Sequence, residues 1–106
     1  MITVHLFYTG SNGSALRFAR EMESSGVADA IRREDGNLGY RYYRPLDDPE
    51  TVLLIDAWRD QEALDAHHAS PMMAKIAALR EKYDLHMTAE RLTGEQSGTD
   101  ERFLRR

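Results

Sequence analysis

The chain has no cysteine, so disulfides, thiolate metal sites, iron–sulfur clusters and cysteine nucleophiles are all excluded. Long apolar runs are also missing. The longest are four residues, as at 52–55, far short of the roughly 20 that cross a bilayer. The N-terminus MITVHLFY has no basic stretch, apolar core and small-residue cleavage site, so no secretory signal is read and a cytoplasmic location is expected. Positive charge is in deficit. The net charge of −4 argues against general nucleic-acid binding, which depends on phosphate neutralisation. Lysine is scarce (two, against twelve arginines), a bias compatible with anion recognition, although most arginines are expected on solvated surfaces. What is present is ordinary: 106 residues, 42% hydrophobic and 30% charged, enough for one globular core. There is no internal repeat or low-complexity run.

Periodicity divides the chain into alternating strands and helices. Residues 2–8 set Ile2, Val4, Leu6 and Tyr8 against Thr3, His5 and Phe7, the period-2 pattern of a strand. Gly10 to Gly13 breaks it with turn and capping residues. Ala15, Phe18, Ala19 and Met22 then recur at helical spacing, and Val27, Ala30 and Ile31 resume the stripe after Ser24-Ser25-Gly26. One helix in two pieces is expected. After the Asp35-Gly36-Asn37 stop, a second strand places Leu38, Tyr40 and Tyr42 on one face and Gly39, Arg41 and Tyr43 on the other. The short PLDDPE turn at 45–50 joins it to a third strand at 52–59, which predicts an antiparallel hairpin. Asp60 is a good N-cap for a short helix through Ala63, Leu64 and His67. Ser70, as N-cap, and Pro71, at the first helical position, restart it through Met72, Ile76, Leu79 and Tyr83. Residues 85–92 read as the last strand.

The order β-α-β-β-α-β is the α+β, ferredoxin-like split arrangement: one antiparallel sheet with its helices on one face. The second and third strands are apolar on both sides, so the uncovered face is expected to pack against a second copy as a homodimer. The domain is placed at residues 1–92. Residues 93–106 form a polar tail expected to be flexible, from which Phe103 and Leu104 could dock.

Few residues can carry chemistry. His67 and His68 are adjacent on a helix, about 100° apart, and cannot chelate one metal together. No HExxH spacing is present, and His5 and His86 lie on outer positions of the first and last strands, so no metal is expected. His67 is either satisfied at the helix break or a base in a pocket formed before the Ser-Pro restart. Trp58 is either core or pocket wall, and Asp56, two residues earlier on the same strand face, is a buried or a solvated carboxylate. Tyr40, Tyr42 and Tyr43 could line a cavity for a flat ring or an interface. No nucleophile elbow, phosphate loop or dinucleotide fingerprint appears.

The segments EDGNLGY (34–40), DDPE (47–50), DAWRDQEALDAHHASPMM (56–73) and LHMTAERL (85–92) resemble the antibiotic biosynthesis monooxygenase domain family, in order and spacing across residues 1–92. The resemblance implies a dimeric α/β barrel. It also implies chemistry related to cofactor-free oxygenases of quinols and aromatic polyketides, or to a branch that isomerises a phosphorylated autoinducer-2 derivative. The family histidine matches His67 and the family tryptophan matches Trp58. A second histidine common in the family is Met72 here, which makes the site more apolar.

The leading expectation is therefore a cofactor-independent monooxygenase acting with dioxygen on a quinol-like or phenolic small molecule. In it His67 is the base and Trp58 a flat wall with one N–H donor; Tyr40, Tyr42, Met72, His68 and His5 bind substrate. Nucleic acid and membrane are not expected partners. One alternative is an isomerase of a phosphorylated signal, with Arg41, Arg44 or Arg59 holding the phosphate. The other is a dimeric ligand-binding module without turnover.

Overall fold

The structure is a computed structural model that describes residues 1–93. Its elements are β1 (Ile2–Thr9), α1 (Ser14–Ser24), α2 (Val27–Arg32), β2 (Asn37–Tyr43), β3 (Thr51–Trp58), α3 (Gln61–His68), α4 (Met72–Lys82) and β4 (His86–Thr93). The strands form one four-stranded sheet in the order β2-β3-β1-β4, antiparallel throughout. All four helices cover the same face, as the expected α+β, ferredoxin-like arrangement requires. The thinnest dimension, 17 Å, fits one sheet under one layer of helices. Among the described residues no helix is long and apolar enough to cross a membrane. Thr93, expected to begin the tail, is the last residue of β4; the rest of the expected tail, with Phe103 and Leu104, lies outside the described residues.

Strand alternation assigns the two faces. Ile2, Val4, Leu6 and Tyr8 of β1 pair with Trp58, Asp56, Leu54 and Val52 of β3, and this set faces the helices. Phe18 and Met22 of α1, Ala28 and Ile31 of α2, Leu64 of α3 and Ile76 of α4 close over most of it in one core, and Ala15 and Ala19 of α1 cover Val52 in a second, smaller cluster. The alternate residues, among them Phe7, Leu53, Ile55 and Ala57, form the uncovered face and are half-buried by their own neighbours. α1 and α2 are separate helices because Gly26, with φ 86°, takes a left-handed conformation between them.

Two local expectations need correction. β2 shifts register against β3 between Asn37 and Gly39, so Leu38 is an extra, bulged residue. It is exposed and does not share the inner face with Tyr40 and Tyr42. Ser70 does not cap α4: the N-cap position is Pro71, with no side-chain cap bond, and the buried Ser70 hydroxyl has no partner among the described residues. The hydroxyl is out of place because the chain makes a tight turn first, with Ser70 N–H donating to the His67 carbonyl and Met73 N–H to that of Ser70. Asp60 caps α3 as expected, its carboxylate accepting from Ala63 N–H at 2.9 Å.

Gly36 fixes how α3 meets the β2 entry. Its φ of 83° suits glycine, and a Cβ there would lie 2.4 Å from the Ala63 Cβ of α3. Arg59 N–H donates to the Gly36 carbonyl at 2.8 Å. This close approach carries Glu34, two residues upstream, to the underside of α3.

Candidate active site

Trp58, at the end of β3, and Asp56, two residues before it, point to the helix side of the sheet. The indole Nε1 donates to Asp56 Oδ2 at 3.1 Å. On α3, Leu64 and His67 share the buried face one turn apart. The His67 imidazole stacks on Trp58 with ring centroids 4.6 Å apart and planes 24° from parallel. Its Nδ1 lies 2.6 Å from Glu34 Oε1. An ionised carboxylate can only accept, so Nδ1 is the donor and Nε2 is the nitrogen that can exchange a proton with a ligand.

A cavity of about 300 Å³ opens between the sheet and α3 and α4. Asp56, His67, His68 and Tyr40 border it at the polar side, and Val4, Leu6, Leu54, Leu64, Met73 and Ile76 supply apolar wall. That size is at the lower end of small-molecule sites, and apolar walls with a few polar groups are their usual character. Asp56 is the unusual member. It is buried, and among the described residues its Oδ1 has no hydrogen-bond partner. Burial pushes its carboxyl above the ordinary aspartate range, opposed by the Trp58 N–H and by the charge of His67. Burial likewise pushes Tyr8 up to about 12, with the Arg80 charge pulling the other way. Tyr40 and Tyr42 are raised for the same reason, so all three stay neutral hydroxyls at working pH.

The cavity brings together His67, His68 and Tyr40. The other expected site residues lie elsewhere. Trp58 is fully buried and does not border the cavity, and its only N–H is engaged by Asp56, so it supports the site from behind. Tyr42 borders a different groove between α1 and β2, although its hydroxyl lies 3.4 Å from that of Tyr40. Met72 packs on the core, and its neighbour Met73 lines the cavity instead. His5 alternates onto the uncovered face, opposite Ile55 and Glu90. The three arginines considered for a phosphate are also outside: Arg59 is paired with Asp35 and Asp60, and Arg41 and Arg44 border the outer groove.

Sequence reasoning missed Glu34, Arg80 and Arg91, and left Asp56 undecided. A signal existed for Asp56, because it alternates in phase with Leu54 and Trp58 on a helix-covered face. None existed for Glu34, which meets His67 only through the fold. Among the described residues no group of three or more histidine, aspartate or glutamate side chains is placed to hold a metal.

The sequence profile of the antibiotic biosynthesis monooxygenase family matches residues 1–79. No curated protein sequence matches the chain. Solved structures with the same fold include a candidate antibiotic biosynthesis monooxygenase from Deinococcus radiodurans, with a TM-score of 0.78 and 21% identity over 91% of this chain and 94% of that one. SnoaB, a cofactor-independent oxygenase from Streptomyces nogalater, superposes with a TM-score of 0.74 and 19% identity over 90% of this chain and 93% of its own. PA3566 from Pseudomonas aeruginosa gives 0.71 and 24% over 86% and 90%. At these identities the likeness establishes the fold.

Proposed function

The chain belongs to the antibiotic biosynthesis monooxygenase family, and from that premise we propose that it oxidises an electron-rich phenolic or hydroquinone-type ring with dioxygen. The observation that carries this reading is a pair of buried titratable groups, Asp56 and His67, on the wall of a mostly apolar cavity. Each is fixed from behind, by Trp58 and by Glu34, and keeps one side for a ligand. SnoaB, which shares the fold, is a cofactor-independent oxygenase, and chemistry of that kind is what this chain's own Asp56 and His67 would serve.

His67 takes the phenolic proton at Nε2, and the Glu34 carboxylate on Nδ1 stabilises the imidazolium that forms. Asp56 accepts a hydrogen bond from the ring's hydroxyl through Oδ1, the oxygen Trp58 leaves open. The apolar walls keep water from the anion. The anion passes one electron to dioxygen, and the radical pair combines to form a C–O bond at a ring carbon. That carbon then loses its remaining hydrogen as a proton while the O–O bond breaks. With the carbon counted in its keto form, CH2 and O2 become C=O and H2O. The ring supplies every electron.

Oxygen uptake with a panel of reduced naphthoquinones and anthrone-type phenols, followed in an oxygen electrode, tests the reading. At least one should be consumed, and His67→Ala should lower turnover by about 10²–10⁴-fold with an unchanged circular dichroism spectrum. No uptake across the panel, or full turnover in the variant, overturns it. The alternative isomerase reading is less well supported: Arg41 and Arg44 lie away from His67, and Arg59, which shares a smaller pocket of about 230 Å³ with His67 and Glu34, is already paired with Asp35 and Asp60.

A further inference from the structure

The cavity has two chemically different sides. Val4 pairs with Asp56 on β3 and with Arg91 on β4, so the three lie in one row across the sheet. Strands two apart lie about 10 Å from each other, which sets a carboxylate on the β3 side and a guanidinium on the β4 side of the same cavity. Arg80 reaches that β4 side from α4, one turn beyond Ile76, with Nη1 3.8 Å from the Met87 sulfur. It too borders the cavity. Neither arginine meets a carboxylate among the described residues. Arg91 donates to the Gln61 side-chain oxygen, and the side-chain acceptor that Arg80 meets among the described residues is the weak Met87 sulfur. Arg32 and Arg59, by contrast, are each held by two acidic side chains away from this cavity.

A ligand filling this space must lay apolar surface along Leu6, Leu54 and Ile76 and carry negative charge toward β4. We infer that the cavity recognises an aromatic acid: a flat ring whose hydroxyl reaches Asp56 and His67 and whose carboxylate is bound by Arg80 and Arg91. Guanidinium groups suit a planar carboxylate because their N–H donors match its two oxygens. The reverse orientation is disfavoured, since a carboxylate set against Asp56 would face a like charge. The inference rests on the reading that this cavity takes the aromatic substrate, and it adds what the substrate must carry besides the ring.

Two probes that share a ring, 6-hydroxy-2-naphthoate and 2-naphthol, isolate the carboxylate. Calorimetric titration of the full chain should show the acid binding at least about ten-fold tighter than the neutral naphthol. In the double variant Arg80→Gln, Arg91→Gln that preference should fall to about one, with naphthol affinity unchanged. Arg80 is half-buried and Arg91 exposed, so the fold should tolerate both changes. Equal binding of the two probes to the native chain, a preference retained in the double variant, or no binding of either overturns the inference. Oxygen uptake is scored separately. If no quinol supports uptake while the preference holds, the oxygenase reading falls and the aromatic-acid site stands. If neutral quinols are oxidised and the preference is absent, this inference falls alone.

Discussion

Burial holds the Asp56 carboxyl above the ordinary aspartate range, and the sign of that shift decides how the fold responds to pH. An unfolded aspartate ionises near 3.9, whereas the folded one keeps its proton to higher pH. As pH rises from the ordinary value through the raised one, the unfolded chain releases a proton that the folded chain retains. Stability contributed by the protonated form is lost across that window and does not return above it. Asp56→Asn removes the charge and keeps an oxygen to accept from Trp58 Nε1. The variant should melt higher than the native chain at pH 7, and the difference should vanish at about pH 3, below the ordinary aspartate value. A gain of 1 kcal/mol would read as about 4–8 °C at this size. Its oxygen uptake should fall about ten-fold or more, because the amide no longer offers a charged acceptor to the ring. A lower melting temperature at pH 7 would mean that the ionised carboxylate stabilises the fold, through His67, more than burial opposes it. The chemistry at this scale was only half legible in the sequence. His67 stood out because imidazole titrates near neutrality, and Trp58 because it is the only tryptophan. The roles proposed for them rest on contacts with Glu34 and Asp56, and such contacts are set by packing.

At the level of elements, β1 and α1 were legible from their apolar periods, and most of the others from apolar residues set between turn and capping residues. The α1 face of Ala15, Phe18, Ala19 and Met22 is buried as its spacing implies. The misreadings fall where a single residue changes phase. The Leu38 bulge inserts one residue into β2 without altering its composition, and the turn at Ser70 precedes the helix that Ser-Pro advertises. Gly36 joins these local matters to the site. Gly36→Ala would put a Cβ against the Ala63 Cβ, part of the α3 backbone frame and unable to rotate away, and would hold alanine at a left-handed φ. Left-handed strain and overpacking together should lower stability by at least about 2 kcal/mol, read as a lower urea midpoint. Activity per folded molecule should also fall, because relief of the clash moves the segment that brings Glu34 to His67. An unchanged midpoint would show that α3 can shift freely, and that Gly36 does not set its distance from β2.

For the whole molecule, the uncovered face of the sheet decides the assembly. Phe7 and Tyr43 both pair with Leu53, forming an apolar row, and Ile55 and Ala57 extend it along β3. Four helices cover the other face, so nothing else in residues 1–93 is left to shield this one. A second copy related by a twofold axis would bring like rows together, the self-complementary contact of an isologous dimer. We therefore expect a homodimer through this face, of the kind that commonly buries more than about 2,000 Å² in total. Sedimentation at micromolar concentration should show a dimer, and Ile55→Glu, which places a charge in the row, should give a monomer. A native chain that sediments as a stable monomer refutes the expectation. The same variant asks a further question of the cavity. Leu53 and Ile55 lie on the uncovered face while Leu54 and Asp56 face the helices, so one strand would serve both surfaces. All the groups assigned to the cavity come from a single protomer. A folded Ile55→Glu monomer should therefore still bind 6-hydroxy-2-naphthoate, with affinity reduced only as far as β3 loses rigidity. Complete loss of binding in a folded monomer would show that the partner completes the site.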